Sequence, residues 1–114
     1  MNDLKARTKK YALDTIRLVQ SLPRNQTADI LGRQLIRSGT SVAANYRAAC
    51  RARSRADFLS KMGIVEEEAD ETQFWIELLT EAGLVKPDKV ANLIKESNEL
   101  IAITVSSIRT ARKK

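Results

Sequence analysis

From Phe58 to Leu79 the residues Phe58, Met62, Val65, Ala69, Thr72, Ile76 and Leu79 follow one another at steps of four and three without a break. A strand repeats every two residues, so this spacing fits a long helix with one face turned to neighbours that run nearly parallel or antiparallel to it. The same stretch carries its own boundaries. Ser54 followed by Asp57 has the spacing of a capping box, with Asp in place of the usual Glu or Gln, and Gly83 stands where a left-handed residue would stop the helix at about Ala82.

The pattern recurs three more times. Helix one is expected from about Asp3 to Ser21 on a stripe of Leu4, Thr8, Tyr11, Ala12, Thr15, Ile16, Val19 and Leu22, and Pro23 ends it. Helix two is expected from about Ala28 to Arg51, capped by Asn25 or Thr27, with the seam Leu31, Leu35, Ser38, Val42, Asn45 and Ala49. Its middle, Ser38 to Ala44, is built of small residues that let a neighbour approach closely. A rival reading takes Gly39 as the turn of a helix-turn-helix with Thr40 or Ser41 capping a recognition helix, but the seam passes through Gly39 in register. Helix four is expected from Pro87 to about Ala111 on Val90, Ile94, Ser97, Ile101, Thr104 and Ile108, flanked by Leu93 and Leu100.

Four glycines and two prolines are too few for a many-stranded fold. Short connections make sequential helices antiparallel, so residues 1–114 are expected to form one all-α domain, an antiparallel up-down-up-down four-helix bundle.

The net charge of +6 conceals a segregation: +9 over residues 1–61, −7 over 62–85 and +4 over 86–114. On helix two, Arg33, Arg37, Arg47 and Arg51 follow one stripe. A hairpin turning near Ser54 sets Arg37 against Glu71, with Glu68 beside it, as a partly buried pair. Glu68, Glu71, Arg37 and Asn45 are read as structural polar residues. The same rule puts Arg33 over Trp75 and Arg51 against Asp57. It also sets Arg47 against Lys61, and with Arg51, Arg53 and Arg55 these form an unpaired cationic patch at one end of the bundle. Such a patch is either a solvated face or a phosphate-binding surface. No aromatic residue interleaves with it, so contacts would go to backbone phosphate with little base preference.

Enzyme chemistry finds little purchase. The chain has no histidine, which removes a Ser-His-Asp triad, a Cys-His pair and the Glu-x-x-His ligands of di-iron bundles. Glu68-x-x-Glu71 and Glu96-x-x-Glu99 have the spacing of carboxylate ligands, but the first pair already has a basic partner. No Walker loop or dinucleotide fingerprint occurs, and neither a metal nor a cofactor is expected. The single cysteine, Cys50, sits among small residues and reads as a packing residue in a reducing compartment. With no apolar run of about 20 residues and no signal-peptide core, a cytoplasmic protein without membrane contact is expected.

The segments QLIRSGTSVAANYRAA and EEADETQFWIELL resemble the bacterial four-helix bundle family whose founding members are encoded within intervening sequences of large-subunit ribosomal RNA genes. Relatives of that family include the accessory variability determinant of diversity-generating retroelements. The resemblance runs from helix one to Ile108, and its motif positions are Arg37, Ser38, Ser41, Asn45, Glu68 and Glu71. Many relatives carry Glu-Gly or Glu-Ala after the residue matching Asn45; here Tyr46, Arg47 and Ala48 follow, making this end more basic. The resemblance implies a ring-like homopentamer without known catalysis and, from the retroelement branch, a positively charged barrel that binds a reverse transcriptase and nucleic acid.

The expectation is a non-catalytic homo-oligomer whose basic surface, including Arg47, Arg51, Arg53, Arg55 and Lys61, meets RNA or DNA backbone or a nucleoprotein partner. The alternative is a protein-interaction scaffold that does not bind nucleic acid. Trp75 lies off the helix-three seam and is expected to pack in the hairpin or against another subunit.

Overall fold

A computed structural model describes residues 4–113 of the chain. Four helices account for nearly all of them: α1 (Leu4–Gln20), α2 (Gln26–Cys50), α3 (Arg55–Glu81) and α4 (Pro87–Lys113). Each packs antiparallel to the next, α1 and α4 close the ring, and the diagonal pairs stay apart. The result is an all-α, up-down-up-down four-helix bundle measuring 48 × 21 × 20 Å.

Local chemistry sets the helix ends. Asn25 caps α2 by accepting from the Ala28 N–H at 2.8 Å, which settles the choice between Asn25 and Thr27 and starts the helix at Gln26. Ser54 caps α3 by accepting from the Asp57 N–H at 3.0 Å; this is the Ser half of the expected capping box. Gly83, at φ +77°, closes α3 with a Schellman pair, its own N–H reaching Thr80 O and the Leu84 N–H reaching Leu79 O. Pro87 opens α4.

The helix-turn-helix alternative does not hold, because α2 is continuous through Gly39. Gly39 is buried against α1, where a Cβ would lie 2.5 Å from Thr15 Oγ1. The glycine lets two backbones meet. One seam assignment also shifts: Tyr46 enters the core, while Asn45 is only half-buried and donates back to Ser41 O and Oγ at 2.9 and 2.8 Å.

The core has two apolar clusters. One holds Tyr11, Val42, Tyr46, Met62, Val65, Leu100 and Ile108; the other holds Leu18, Leu35, Ile76, Leu79 and Val90. Between them lies a buried hydroxyl layer to which every helix contributes: Tyr11, Ser38, Thr72 and Ser97. No buried side-chain nitrogen or oxygen among the described residues lacks a hydrogen-bond partner.

Candidate nucleic-acid interface

Antiparallel packing turns the charge segregation of the sequence into a polarity along the bundle. One end is made from the start of α1, the end of α2, the start of α3 and the end of α4. Residues 4–10, 41–65 and 100–113, which build the tip of that end, carry 12 basic residues and one acidic residue, Asp57. The remaining described residues carry 7 basic and 12 acidic. The bundle is therefore cationic at one end and acidic along the other half.

Arg47 and Arg51 lie in an open groove of about 510 Å³ between α1 and α2, which they share with Lys5, Ala6, Thr8, Lys9, Ala43 and Ala44. Arg53 is exposed in the α2–α3 connection. Arg55, at the first position of α3, borders a separate cleft with Phe58, Ser106, Ser107, Thr110 and Ala111 on the α3–α4 side. The expected patch thus gathers at one end but spreads over two faces.

Three juxtapositions expected across the α2–α3 hairpin, two of them pairings and one the like-charge facing of Arg47 and Lys61, are absent. Arg47 looks into the α1 groove rather than across to Lys61, and Lys61 has its own carboxylate, Asp57 Oδ1 at 3.9 Å. Arg51 likewise lines the α1 groove instead of meeting Asp57. Arg33 borders a hollow with Val19, Leu22 and Pro23 of the first helix and the turn after it, not the Trp75 ring. Helical rotation is the reason. Ten residues at about 100° each leave Arg37 and Arg47 about 80° apart around α2, one on the α3 side and the other on the α1 side. A single facing rule cannot serve the whole stripe.

The Arg37 pairing does form. Its guanidinium reaches Glu68 Oε1 at 3.2 Å and bonds Glu71, whose carboxylate also accepts from the Trp75 indole N–H at 3.0 Å. The indole is the leading influence that holds Glu71 below the ordinary carboxylate range; burial opposes it, the bond and charge of Arg37 add to the lowering, and the Glu71 bond leads in raising Arg37. The Arg37 side chain is 49% exposed, so the pair is more open than the sequence suggested. Trp75 packs against the second core cluster and stands edge-on to Phe74, ring centres 5.0 Å apart.

A second clasp has the same design. Arg7 of α1 grips Glu96 through Nε and Nη2 at 3.0 and 2.6 Å and reaches Glu99 at 3.0 Å. Each Glu-x-x-Glu pair is thus held by an arginine from the next helix, and no group of three or more potential metal ligands converges among the described residues. Arg7, Lys5 and Lys9 were not singled out from the sequence. The signal was there: Glu96 and Glu99 need a cation on a facing helix, and the i, i+4 pair Lys5/Lys9 matches Arg47/Arg51.

The model of the 23S rRNA-intervening sequence protein family matches residues 2–106. The chain belongs to that family. The resemblance seen in its two motifs therefore holds across this member of the 23S rRNA-intervening sequence proteins. A crystal structure of a protein of unknown function from the S23 ribosomal protein family of Bacteroides thetaiotaomicron is similar to this family member over 91% of this chain and 96% of that one. The two share 34% identity and superpose with a TM-score of 0.86. No curated protein matches. No helix among the described residues of this 23S rRNA-intervening sequence protein is long and apolar enough to cross a membrane.

Proposed function

We propose that this protein is a non-catalytic, homo-oligomeric helical bundle of the cytoplasm whose basic end binds nucleic-acid backbone or a nucleoprotein partner. The observation that carries the proposal is the charge balance of that end, whose segments carry 12 basic residues and Asp57, with Asp14, Glu96 and Glu99 at its edge engaging only Lys10 and Arg7 among them. Arg47, Arg51, Arg53 and Arg55 have no ion-pair partner among the described residues, whereas Arg7, Lys10, Arg17 and Arg37 each have one. Cations left without carboxylates are free to exchange counterions for phosphates. A homo-oligomer, pentameric by family resemblance, is supported by apolar side chains outside the four-helix core: Leu13 is 42% exposed, and Ile30 and Phe74 are each 50% exposed. A reverse transcriptase or another nucleic-acid enzyme fits as the protein partner by the same resemblance.

The test is an RNA and duplex DNA titration at low and near-physiological salt, with the Arg47→Ala/Arg51→Ala/Arg55→Ala variant alongside. The expected result is affinity that survives physiological salt and collapses in the triple variant. Absence of binding at physiological salt, or equal binding by the variant, would overturn nucleic-acid recognition.

A second reading has its own observation. The half of the bundle opposite the basic end carries 12 acidic and 7 basic residues, so an acidic partner or a neighbouring copy's acidic half would meet the basic end with complementary charge. Such a scaffold forms a defined oligomer that salt loosens, without nucleic-acid affinity at physiological salt.

A further inference from the structure

Within the basic end, the α1–α2 groove gathers four cations into one cleft. Its charged side chains, Lys5 and Lys9 from one wall and Arg47 and Arg51 from the other, have no ion-pair partner among the described residues. Other cations of these two helices, Arg33 apart, are neutralised. Arg7 is clasped by Glu96 and Glu99, Lys10 and Arg17 by Asp14, and Arg37 by Glu68 and Glu71. Four like charges thus face one cleft without a carboxylate to offset their repulsion.

Their order along the cleft follows from the packing of Gly39 on Thr15, which fixes the antiparallel register of α1 and α2. In that register Lys9, Arg47, Lys5 and Arg51 succeed one another from alternate walls. Charges on the same wall lie one turn apart, about 6 Å at about 1.5 Å per residue, close to the separation of successive phosphates along one nucleic-acid strand. The floor is made of Ala6, Ala43, Ala44 and Thr8, small enough to leave the cleft about 510 Å³. Packed helix axes are only about 8–10 Å apart, so the cleft between the cationic walls is a narrow surface channel that can take one sugar–phosphate backbone, and a duplex could engage it with one strand only. No aromatic residue lines the cleft, so bases would point outward and be read weakly.

We infer that the α1–α2 groove is a seat for a single nucleic-acid strand, held through successive phosphates by Lys5, Lys9, Arg47 and Arg51, with strand form rather than base sequence as its criterion. The inference rests on the proposed nucleic-acid-binding basic end and narrows it to one cleft and one form of the polymer.

Three variants of the full chain test it against labelled oligo(U), oligo(dT) and a duplex of equal length, over a salt series. Lys9→Gln/Arg47→Gln removes one cation from each wall; the expected result is about a tenfold loss for both single strands and a salt slope shallower by about 1.4, from about 0.7 per phosphate. Ala44→Phe keeps every charge and fills the floor, and a comparable loss is expected for single strands with little for duplex. Lys86→Gln/Lys89→Gln, the same charge change at the other end, is expected to bind as the unaltered chain does. Helical content and elution volume check that each variant is folded.

Unchanged single-strand binding by folded Ala44→Phe, equal losses from the Lys9/Arg47 and Lys86/Lys89 pairs, or tighter binding of duplex than of single strand would overturn the groove. Unchanged binding by folded Ala44→Phe or a preference for duplex leaves the basic end standing as a nucleic-acid surface, provided the unaltered chain still binds, whereas equal losses from the two pairs remove the basic end as the site together with the groove. Failure of the unaltered chain to bind any of the three probes at physiological salt removes the parent proposal and this one together.

Discussion

The Tyr11 hydroxyl of α1 and the Ser97 hydroxyl of α4 lie 2.5 Å apart at the centre of the bundle, with the two residues 1% and 0% exposed. The Thr72 hydroxyl completes the link to α2 by lying 2.9 Å from the Ser38 hydroxyl. A slide of any helix by one turn would set these oxygens against Leu35 and Ile76 on one side or Val42 and Leu100 on the other. An unpaired buried hydroxyl costs about 1–3 kcal/mol, so the layer fixes the register that apolar seams alone would leave open.

Tyr11→Phe tests the layer. At neutral pH the variant leaves Ser97 without its phenol partner, and a loss of about 1–3 kcal/mol is expected. Burial pushes the Tyr11 phenol up to about 12 from 10.0, despite the opposing bonds from Ser97 and Thr72. The folded state therefore favours the protonated form. Its contribution is complete below the unfolded value of 10.0 and disappears as pH rises through about 12. At about 1.4 kcal/mol per pH unit, that is about 2–3 kcal/mol. Urea midpoints of both proteins from pH 8 to 11.5 should show their stability gap closing in alkali. A constant gap would mean that the phenol is not shielded.

Two glycines should respond to the same substitution with opposite signs. At Gly39 a Cβ would fall 2.5, 2.8 and 3.0 Å from three side-chain atoms of Thr15, and a destabilisation of about 1–3 kcal/mol is expected for Gly39→Ala. At Gly63, inside α3, a Cβ meets nothing within 4 Å. Gly63→Ala should stabilise by about 0.5–1 kcal/mol through the lower helix propensity of glycine. Thermal midpoints decide both, and Thr15→Ala should rescue Gly39→Ala if the clash is its cause.

The fold was legible because its information is local and repeated. Seams at three- and four-residue steps, Pro23, Ser54, Gly83 and Pro87 each specify helix or boundary without knowledge of the partner. What the seams left out is geometry between helices. Arg37 was paired correctly with Glu71 because the two flank the α2–α3 contact directly. Arg47, ten residues on, had turned to α1, and no pattern within α2 states which neighbour lies on which side. Nothing within α1 marks Lys5 and Lys9 for the same reason: only the α1–α2 register brings them to Arg47 and Arg51. Tyr46 was missed as a core residue because Asn45 kept the heptad step, although the asparagine satisfies itself on Ser41.

The Arg37–Glu71–Trp75 cluster makes the last prediction. Its arginine is 49% exposed, so solvent screens the pair, and Arg37→Ala should cost only about 0.2–1 kcal/mol at pH 7. Glu71→Gln should cost more, because it weakens the acceptor for the Trp75 indole, the leading influence on this carboxylate, as well as removing the arginine's anion. The two differ again in acid. A carboxyl held below its ordinary value of 4.5 contributes stability that is fully present above 4.5 and lost as pH falls through the lower folded value. Melting temperatures of the native chain and Glu71→Gln should therefore differ at pH 7 and converge below that value. A double-mutant cycle with Arg37→Ala should give a coupling that vanishes over the same fall in pH. If the difference between the native chain and Glu71→Gln persists in strong acid, shape rather than charge at Glu71 holds this part of the α2–α3 hairpin.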